Sequence, residues 1–153
     1  MLIRKYNPTT DHNIIEPMMV DYFEESDSRV ISQGYDAHKE IAELLERKWD
    51  IYVMINKANN WEIVWFHRWE VRNFNEVYRS SWVYLLPTYR GIYLWSKLST
   101  HQESVAKEKW CYMIQTLVRA WNEKWLALAK RNWFNTDDFS IVNMRYNIYK
   151  TLR

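Results

Sequence analysis

The period of the apolar positions changes along the chain, and each period predicts an element. Residues 1–6 alternate Leu2, Arg4 and Tyr6 against Ile3 and Lys5, a short strand. Ile14, Ile15, Met18, Met19 and Tyr22 then form a helical stripe, with Glu16, Asp21 and Glu25 on the other face. Pro17 is tolerated only near a helix start, so this helix is expected to begin close to Asn13, a good cap. A second helix is expected from about His38 to Trp49, with Ile41, Leu44, Leu45 and Trp49 inward. The period then becomes two. Ile51 to Asn56 and Trp61 to Glu70 read as strands around a turn at Lys57 to Asn60. A loop at Asn73 to Glu76 leads to a third strand, Val77 to Leu86, stopped by Pro87. These three read as an antiparallel meander. A long helix follows from Ile92 to about Lys109, with Ile92, Trp95, Leu98, Gln102 and Val105 on one face. Cys111 to Val118 reads as a strand, and Asn122 to Arg131 as a short helix with Trp125, Leu128 and Ala129 inward. Phe139 to Tyr149 supplies the last one or two strands. No repeat or low-complexity linker interrupts the order, so residues 1–153 read as a single α/β domain.

Composition narrows the classes. With 48% hydrophobic residues, the chain can bury a core and is not disordered. Its apolar runs are far shorter than the roughly 20 residues a bilayer span needs, so no membrane association is expected. The first residues contain no apolar stretch of signal-peptide length, and Cys111 stands alone. A reducing, cytoplasmic location without disulfides is the expectation. The net charge of +2 does not call for a polyanionic partner. The C-terminal region is the most basic, through Lys124, Lys130, Arg131, Arg145, Lys150 and Arg153. A solvated helix face and charged tail explain that better than nucleic-acid contact. Two counts stand out, ten Trp and only two Gly, Gly34 and Gly91. With so few glycines, the left-handed turn positions are expected to fall on Asn and Asp.

The stretch Leu85-Leu86-Pro87-Thr88-Tyr89-Arg90-Gly91 and the later Val118-Arg119-Ala120-Trp121-Asn122 carry a resemblance. With the element order, they resemble the GNAT superfamily of acyl-CoA-dependent N-acetyltransferases. The first stretch is similar to the family's Val-x-Pro-x-Tyr-Arg-Gly at the end of the fourth strand. The second is similar to its Val-x-x-x-Asn before the last helix, and Phe134 falls where the family ends its Gly-Phe. The resemblance implies a GNAT-like mixed, mostly antiparallel sheet with helices on both faces. It also implies acetyl-CoA as cofactor, a pyrophosphate cradle at a helix N-terminus, and Leu86, Tyr89, Arg90, Gly91 and Asn122 as cofactor-binding residues. Backbone N–H groups around Leu86 to Gly91 would hold the thioester and pyrophosphate.

The sequence departs from the family pattern at four places. The small residues of Arg/Gln-x-x-Gly-x-Gly/Ala fall on Tyr93 and Trp95, whose rings would sit at or beside the cradle. The Tyr that protonates the leaving thiolate in many members is Ala129 here. Trp133 replaces the Gly before Phe134, and the third meander strand contains no Asp or Glu. Tyr84 is then the candidate acid, with Glu70 or His67 as candidate base and Glu62 as a further carboxylate on the same strand. Against these roles, His67 reads as a bonded partner in an aromatic strand face, and Glu70 as a strand-end charge paired with Arg68 or Arg72. His101 reads as a surface residue and Cys111 as a small buried hydrophobe. The four scattered His make no metal site.

Small residues have become bulky aromatics and the acid has become Ala. Two classes follow: an acyltransferase with a degraded cofactor site, or a non-catalytic GNAT-fold assembly module. Degenerate members of this superfamily occur among phage-encoded proteins, and a Trp-rich, Gly-poor chain suits one. The aromatic count favours a homo-oligomer or a larger protein assembly, with anchors expected beside Trp61 to Glu70 and around Trp121, Trp125 and Trp133.

Overall fold

The computed structural model describes residues 1–26, 42, 50–72, 76–119, 122–141 and 145–152. Among these the order is β1 (Leu2–Lys5), α1 (Pro8–Ser26), β2 (Asp50–Asn56), β3 (Glu62–Arg72) and β4 (Val77–Leu85). A 3-10 turn (Pro87–Tyr89) leads to α2 (Ile92–Glu108), β5 (Met113–Arg119), α3 (Glu123–Arg131), β6 (Asn135–Ser140) and β7 (Arg145–Thr151). The seven strands lie in the order β1-β2-β3-β4-β5-β7-β6, a mixed, mostly antiparallel sheet. This is the α/β class the apolar pattern predicts. Apart from Ala42, the helix expected at His38 to Trp49 lies outside the described residues, as do the loop residues Asn73 to Asn75.

The chain forms two compact units, residues 1–68 with 82–89, and residues 69–81 with 90–153. In the first, β1 pairs antiparallel with β2, from Leu2↔Ile55 to Lys5↔Tyr52. Helix α1 buries Ile15, Met18, Met19 and Phe23 against Ile51, Val53, Ile55, Ile63, Phe66 and Tyr84. Ile14, expected inward, is exposed. The helix also begins earlier than Pro17 suggests, because Pro8 opens it and Asn7 caps it. The Asn7 side chain accepts from the Thr9 N–H at 3.0 Å, and the Asp11 carboxylate accepts from the Asn7 N–H at 2.8 Å. Two cap bonds and a Pro at the first helical position outweigh the hydrogen bond that Pro17 removes. Arg4 locks this start to β1 with a bidentate pair to buried Asp11, at 2.6 and 2.8 Å.

In the second unit, β4 runs parallel to β5 through Val77↔Met113, Tyr78↔Ile114 and Arg79↔Gln115. β5 and β7 pair antiparallel over the whole of β5, and β6 closes a hairpin with β7. Helix α2 turns Leu98, Gln102 and Val105 inward. Gln102 donates to Ser80 of β4 at 3.4 Å, and Lys150 of β7 pairs with Glu103.

The left-handed turns depart from expectation. Among the described non-glycine residues, Asn60 has a positive φ, as its residue type predicts, but the others that do are tryptophans: Trp61 (61°), Trp110 (59°) and Trp133 (66°). Asn60 and Trp61 are the central pair of the β2–β3 turn, closed by Glu62 N–H to Asn59 carbonyl at 2.9 Å. A hairpin turn with two positive φ values usually reads Asn-Gly. Trp110 and Trp133 each follow the C-cap of a helix. Trp110 N–H bonds the Lys107 carbonyl, and Cys111 N–H the Ala106 carbonyl. Trp133 and Phe134 repeat the pattern on Lys130 and Ala129. Both are Schellman motifs, whose left-handed residue is usually Gly. The family's Gly at the position of Trp133 thus has a backbone reason, and here a Trp adopts that backbone.

Candidate functional site

The segment from the end of β4 to the start of α2 holds most of the predicted cofactor residues. Pro87 ends the strand, and the 3-10 turn carries the chain to Gly91, the N-cap of α2. Gly91 is extended (φ −159°, ψ 159°) and no side chain caps the helix. A Cβ built there meets nothing within 4 Å, so the space before the first turn is open. The first N–H groups of a helix have no intrahelical acceptor, and the dipole places partial positive charge on them. Helix starts of this kind can receive an anion.

The two aromatic residues expected to obstruct it are placed differently. Tyr93 is 69% exposed, with the Lys97 ammonium 5.2 Å from its ring centre. Trp95 turns to α3, its ring 5.2 Å from that of Trp125. Together with Leu98, Leu128 and Phe134 these rings line a cavity between α2 and α3.

Other predicted residues are engaged. The Leu86 N–H donates to the Val64 carbonyl at 3.0 Å, and the Tyr89 N–H to the Leu86 carbonyl at 2.9 Å. Those two N–H groups are therefore not available to a thioester, contrary to the expectation for this segment. The Tyr89 hydroxyl donates to Glu62 at 2.6 Å and accepts from Asn56 and Asn59 at 3.2 Å each. It fixes the 3-10 turn to the β2–β3 hairpin. Asn122 is the N-cap of α3, its side-chain oxygen accepting from the Trp125 N–H at 3.1 Å. Arg90 is exposed beside Gly91.

The catalytic candidates separate. Tyr84 is buried, stacked on Phe66 at 5.9 Å, and its hydroxyl donates to Asp21 of α1 at 3.4 Å. Sequence reasoning placed Asp21 on the helix's outer face and missed it. The only signal was its position next to Tyr22, whose ring meets those of Phe66 and Tyr84 edge-on. His67 is fully buried, 5.6 Å from Trp65. Since Phe66 faces Tyr84, alternation turns His67 to the other face of β3, away from Tyr84. Glu70 belongs to the second unit and pairs with Arg72, and with Arg79 at 3.6 Å. Ala129 is fully buried and has no proton to offer. His101 is half-buried rather than exposed, and burial pushes its pKa down. Cys111 is buried, which pushes its thiol up, with Lys109 opposing. Among the described residues no group of three His, Cys, Asp or Glu forms a metal cluster. No helix among them is long and apolar enough to cross a membrane.

A mixed sheet with a parallel β4–β5 pair, and an uncapped helix start directly after β4, define the GNAT fold. The solved structures agree. A ribosomal-protein-alanine N-acetyltransferase from Brucella melitensis superposes with a TM-score of 0.77 at 16% identity, covering 99% of this chain and 100% of that one. PaiA N-acetyltransferase from Thermoplasma acidophilum, in complex with coenzyme A, gives 0.78 at 15%, covering 99% and 98%. A GNAT-family acetyltransferase from Listeria monocytogenes gives 0.72 at 17%, covering 99% and 94%. No family model matches the sequence, and no curated protein does. The chain therefore has the GNAT fold, at identities that establish fold alone.

Proposed function

We propose that this protein is an acyl-CoA-dependent N-acyltransferase with a reduced acid–base apparatus. The observation that carries the reading is the start of α2, uncapped and open at Gly91. A pyrophosphate fits that seat, with the first N–H groups of α2 and Arg90 as its holders. PaiA, of the same fold, is a coenzyme A complex, which supports the choice of ligand. When bound, acetyl-CoA supplies an acyl group activated as a thioester.

The chain's own residues then have limited work. With Ala129 in the place of the family's acid, the residue of this chain that would hold a proton for a leaving thiolate is Tyr84, whose hydroxyl donates to Asp21 at 3.4 Å. Asp21 would in turn be the carboxylate that takes up the proton an acceptor ammonium loses. Loss of a well-placed acid costs roughly 10²–10⁴-fold in rate, so turnover is slow.

The test is a calorimetric titration with acetyl-CoA on the native chain and on Gly91→Asp. The Asp side chain has room, caps α2 and repels a phosphate, so it raises stability by a few tenths of a kcal/mol, roughly, while abolishing binding. Binding that survives Gly91→Asp unchanged refutes the seat, and no binding to the native chain at millimolar acetyl-CoA refutes the function.

A second reading, a GNAT-fold assembly module, is favoured by one observation. Trp61, Trp110 and Trp133 are 60%, 90% and 85% exposed. Exposed Trp is the residue type that most often anchors an interface. Sedimentation velocity at micromolar concentration decides it, since a strict monomer leaves self-assembly without support.

A further inference from the structure

The second unit presents two tryptophans at one end of its sheet, and the proposed acyl transfer uses neither. Trp110 follows α2 and precedes β5, and Trp133 follows α3 and precedes β6. The strand register sets their level. Met113 pairs with Thr151 and Asn135 with Tyr149, so Trp133, two residues before Asn135, also comes level with Thr151. β5 and β6 flank β7, two strand spacings or roughly 10 Å apart. The two turns therefore stand side by side. Trp110 is a full helix length, roughly 25 Å, from Gly91 at the other end of α2.

Both rings are almost wholly exposed, and both sit on a left-handed backbone where Gly is usual. A ring packed against so little returns almost nothing for the strain it carries, and strain of this kind clusters at functional positions. The two segments also repeat one pattern, a basic pair closing the helix and then the Trp. Lys107 and Lys109 precede Trp110, Lys130 and Arg131 precede Trp133, and all four are exposed. Tyr112 adds an exposed ring beside Trp110. The acidic residues at this end are Glu108, which accepts from Ser104, and Glu76, whose backbone carbonyl accepts from the Tyr112 N–H. Lys150 and Glu103 cancel as a pair, and Asp137 and Asp138 lie further along β6. Among the described residues, four basic against two acidic side chains leave +2 around the rings. Basic residues at a helix C-terminus also offset its dipole and alone indicate no partner. The exposed, strained tryptophans beside them do.

We propose that this end of the second unit docks on an anionic lipid surface. Trp110 and Trp133 enter the headgroup layer, where the amphipathic indole ring settles, and the four basic side chains face the lipid phosphates and carboxylates. The shortness of the apolar runs bears on crossing a bilayer, not on lying against one. Charge and shape select this occupant. A second copy meeting the same end would set basic residues against basic residues. A nucleic-acid strand needs a groove that tracks its backbone, and a ring this exposed has no wall beside it. A lipid surface needs only rings that reach the same level, which the register provides. The surface lies wholly in the second unit and does not depend on whether the chain transfers acyl groups.

The experiment is co-sedimentation and tryptophan emission of the full chain with phosphatidylcholine vesicles, with and without a quarter phosphatidylserine. Binding to the anionic vesicles with blue-shifted emission is expected, weaker at high salt and on the neutral vesicles. Trp110→Gly and Trp133→Gly keep the left-handed turns and should each weaken binding about tenfold. Lys109→Gln and Lys130→Gln should each weaken it about fivefold, on the anionic vesicles only. Trp61→Gly, which removes an exposed ring of the first unit, should change nothing. No binding to the anionic vesicles, or a loss in Trp61→Gly equal to that in the other two Trp variants, overturns the proposal. So does an oligothymidylate that binds more tightly than the vesicles, or self-association without vesicles that the Trp110 and Trp133 variants abolish.

Discussion

Replacing Trp61, Trp110 and Trp133 one at a time by Gly and by Ala isolates the backbone strain at these turns. All three rings are mostly exposed, so truncation forfeits little burial, and it forfeits the same amount in both variants. What differs is the backbone. A left-handed conformation costs a residue with a Cβ about 1–2 kcal/mol, and Gly nothing. Gly returns about 0.5–1 kcal/mol of this through its freer unfolded state. The Gly variant should therefore be more stable than the Ala variant by about 0.5–1 kcal/mol at each site. In a chain of this length that is roughly 1–4 °C in Tm. The three turns share no hydrogen-bond partner, so the triple Gly variant should exceed the triple Ala variant by about 1.5–3 kcal/mol. Ser104, exposed in the interior of α2, is the internal control. There the order reverses, with Ala above Gly by about 1 kcal/mol. Urea unfolding with matched m-values is the assay. Ala equal to or above Gly at the three turns, with the control behaving normally, would show that the tryptophans are not left-handed in solution.

Arg4→Met should cost about 1–3 kcal/mol, because Asp11 remains buried without its guanidinium partner; equal urea midpoints would contradict this. Burial raises the Asp11 pKa, but bonds from Arg4, the Asn7 N–H and Thr10 overcome it and hold the carboxyl below its ordinary value. A depressed carboxylate contributes stability that is present above the unfolded value and lost as pH falls through the folded one. Asp11→Asn should therefore flatten the stability profile below about pH 4 relative to the native chain. If turnover is found, Tyr84→Phe and Asp21→Asn should each slow kcat about 10²-fold or more with KM little changed, and Ala129→Tyr should raise it. His67→Gln should leave the pH–rate profile unchanged, and a profile that loses a limb in it would restore His67 as base.

The order of strands and helices was legible because burial on one face leaves a period in the chain. β3 is buried along most of its length, and its run Ile63 to Phe66 is apolar on both faces, as suits a central strand. Pro87 announced the end of β4, and Asn122 the cap of α3, because both act through their own backbone neighbours. Even the fold was readable, since Pro87, Arg90, Gly91 and Asn122 keep their spacing. The candidate site was legible only in part. Asp21 meets Tyr84 across 63 positions of sequence, and Glu70 is held by an arginine from the next strand, and no local pattern encodes either contact. α1 starts at Pro8 because Arg4 and Asp11, seven residues apart, are brought together when β1 pairs with β2. The left-handed tryptophans were hidden for a different reason. Glycine is the usual mark of a positive φ, but a Schellman turn or a tight hairpin is imposed by the elements on either side. When packing fixes those elements, the backbone between them must turn, and whichever residue stands there takes the strain.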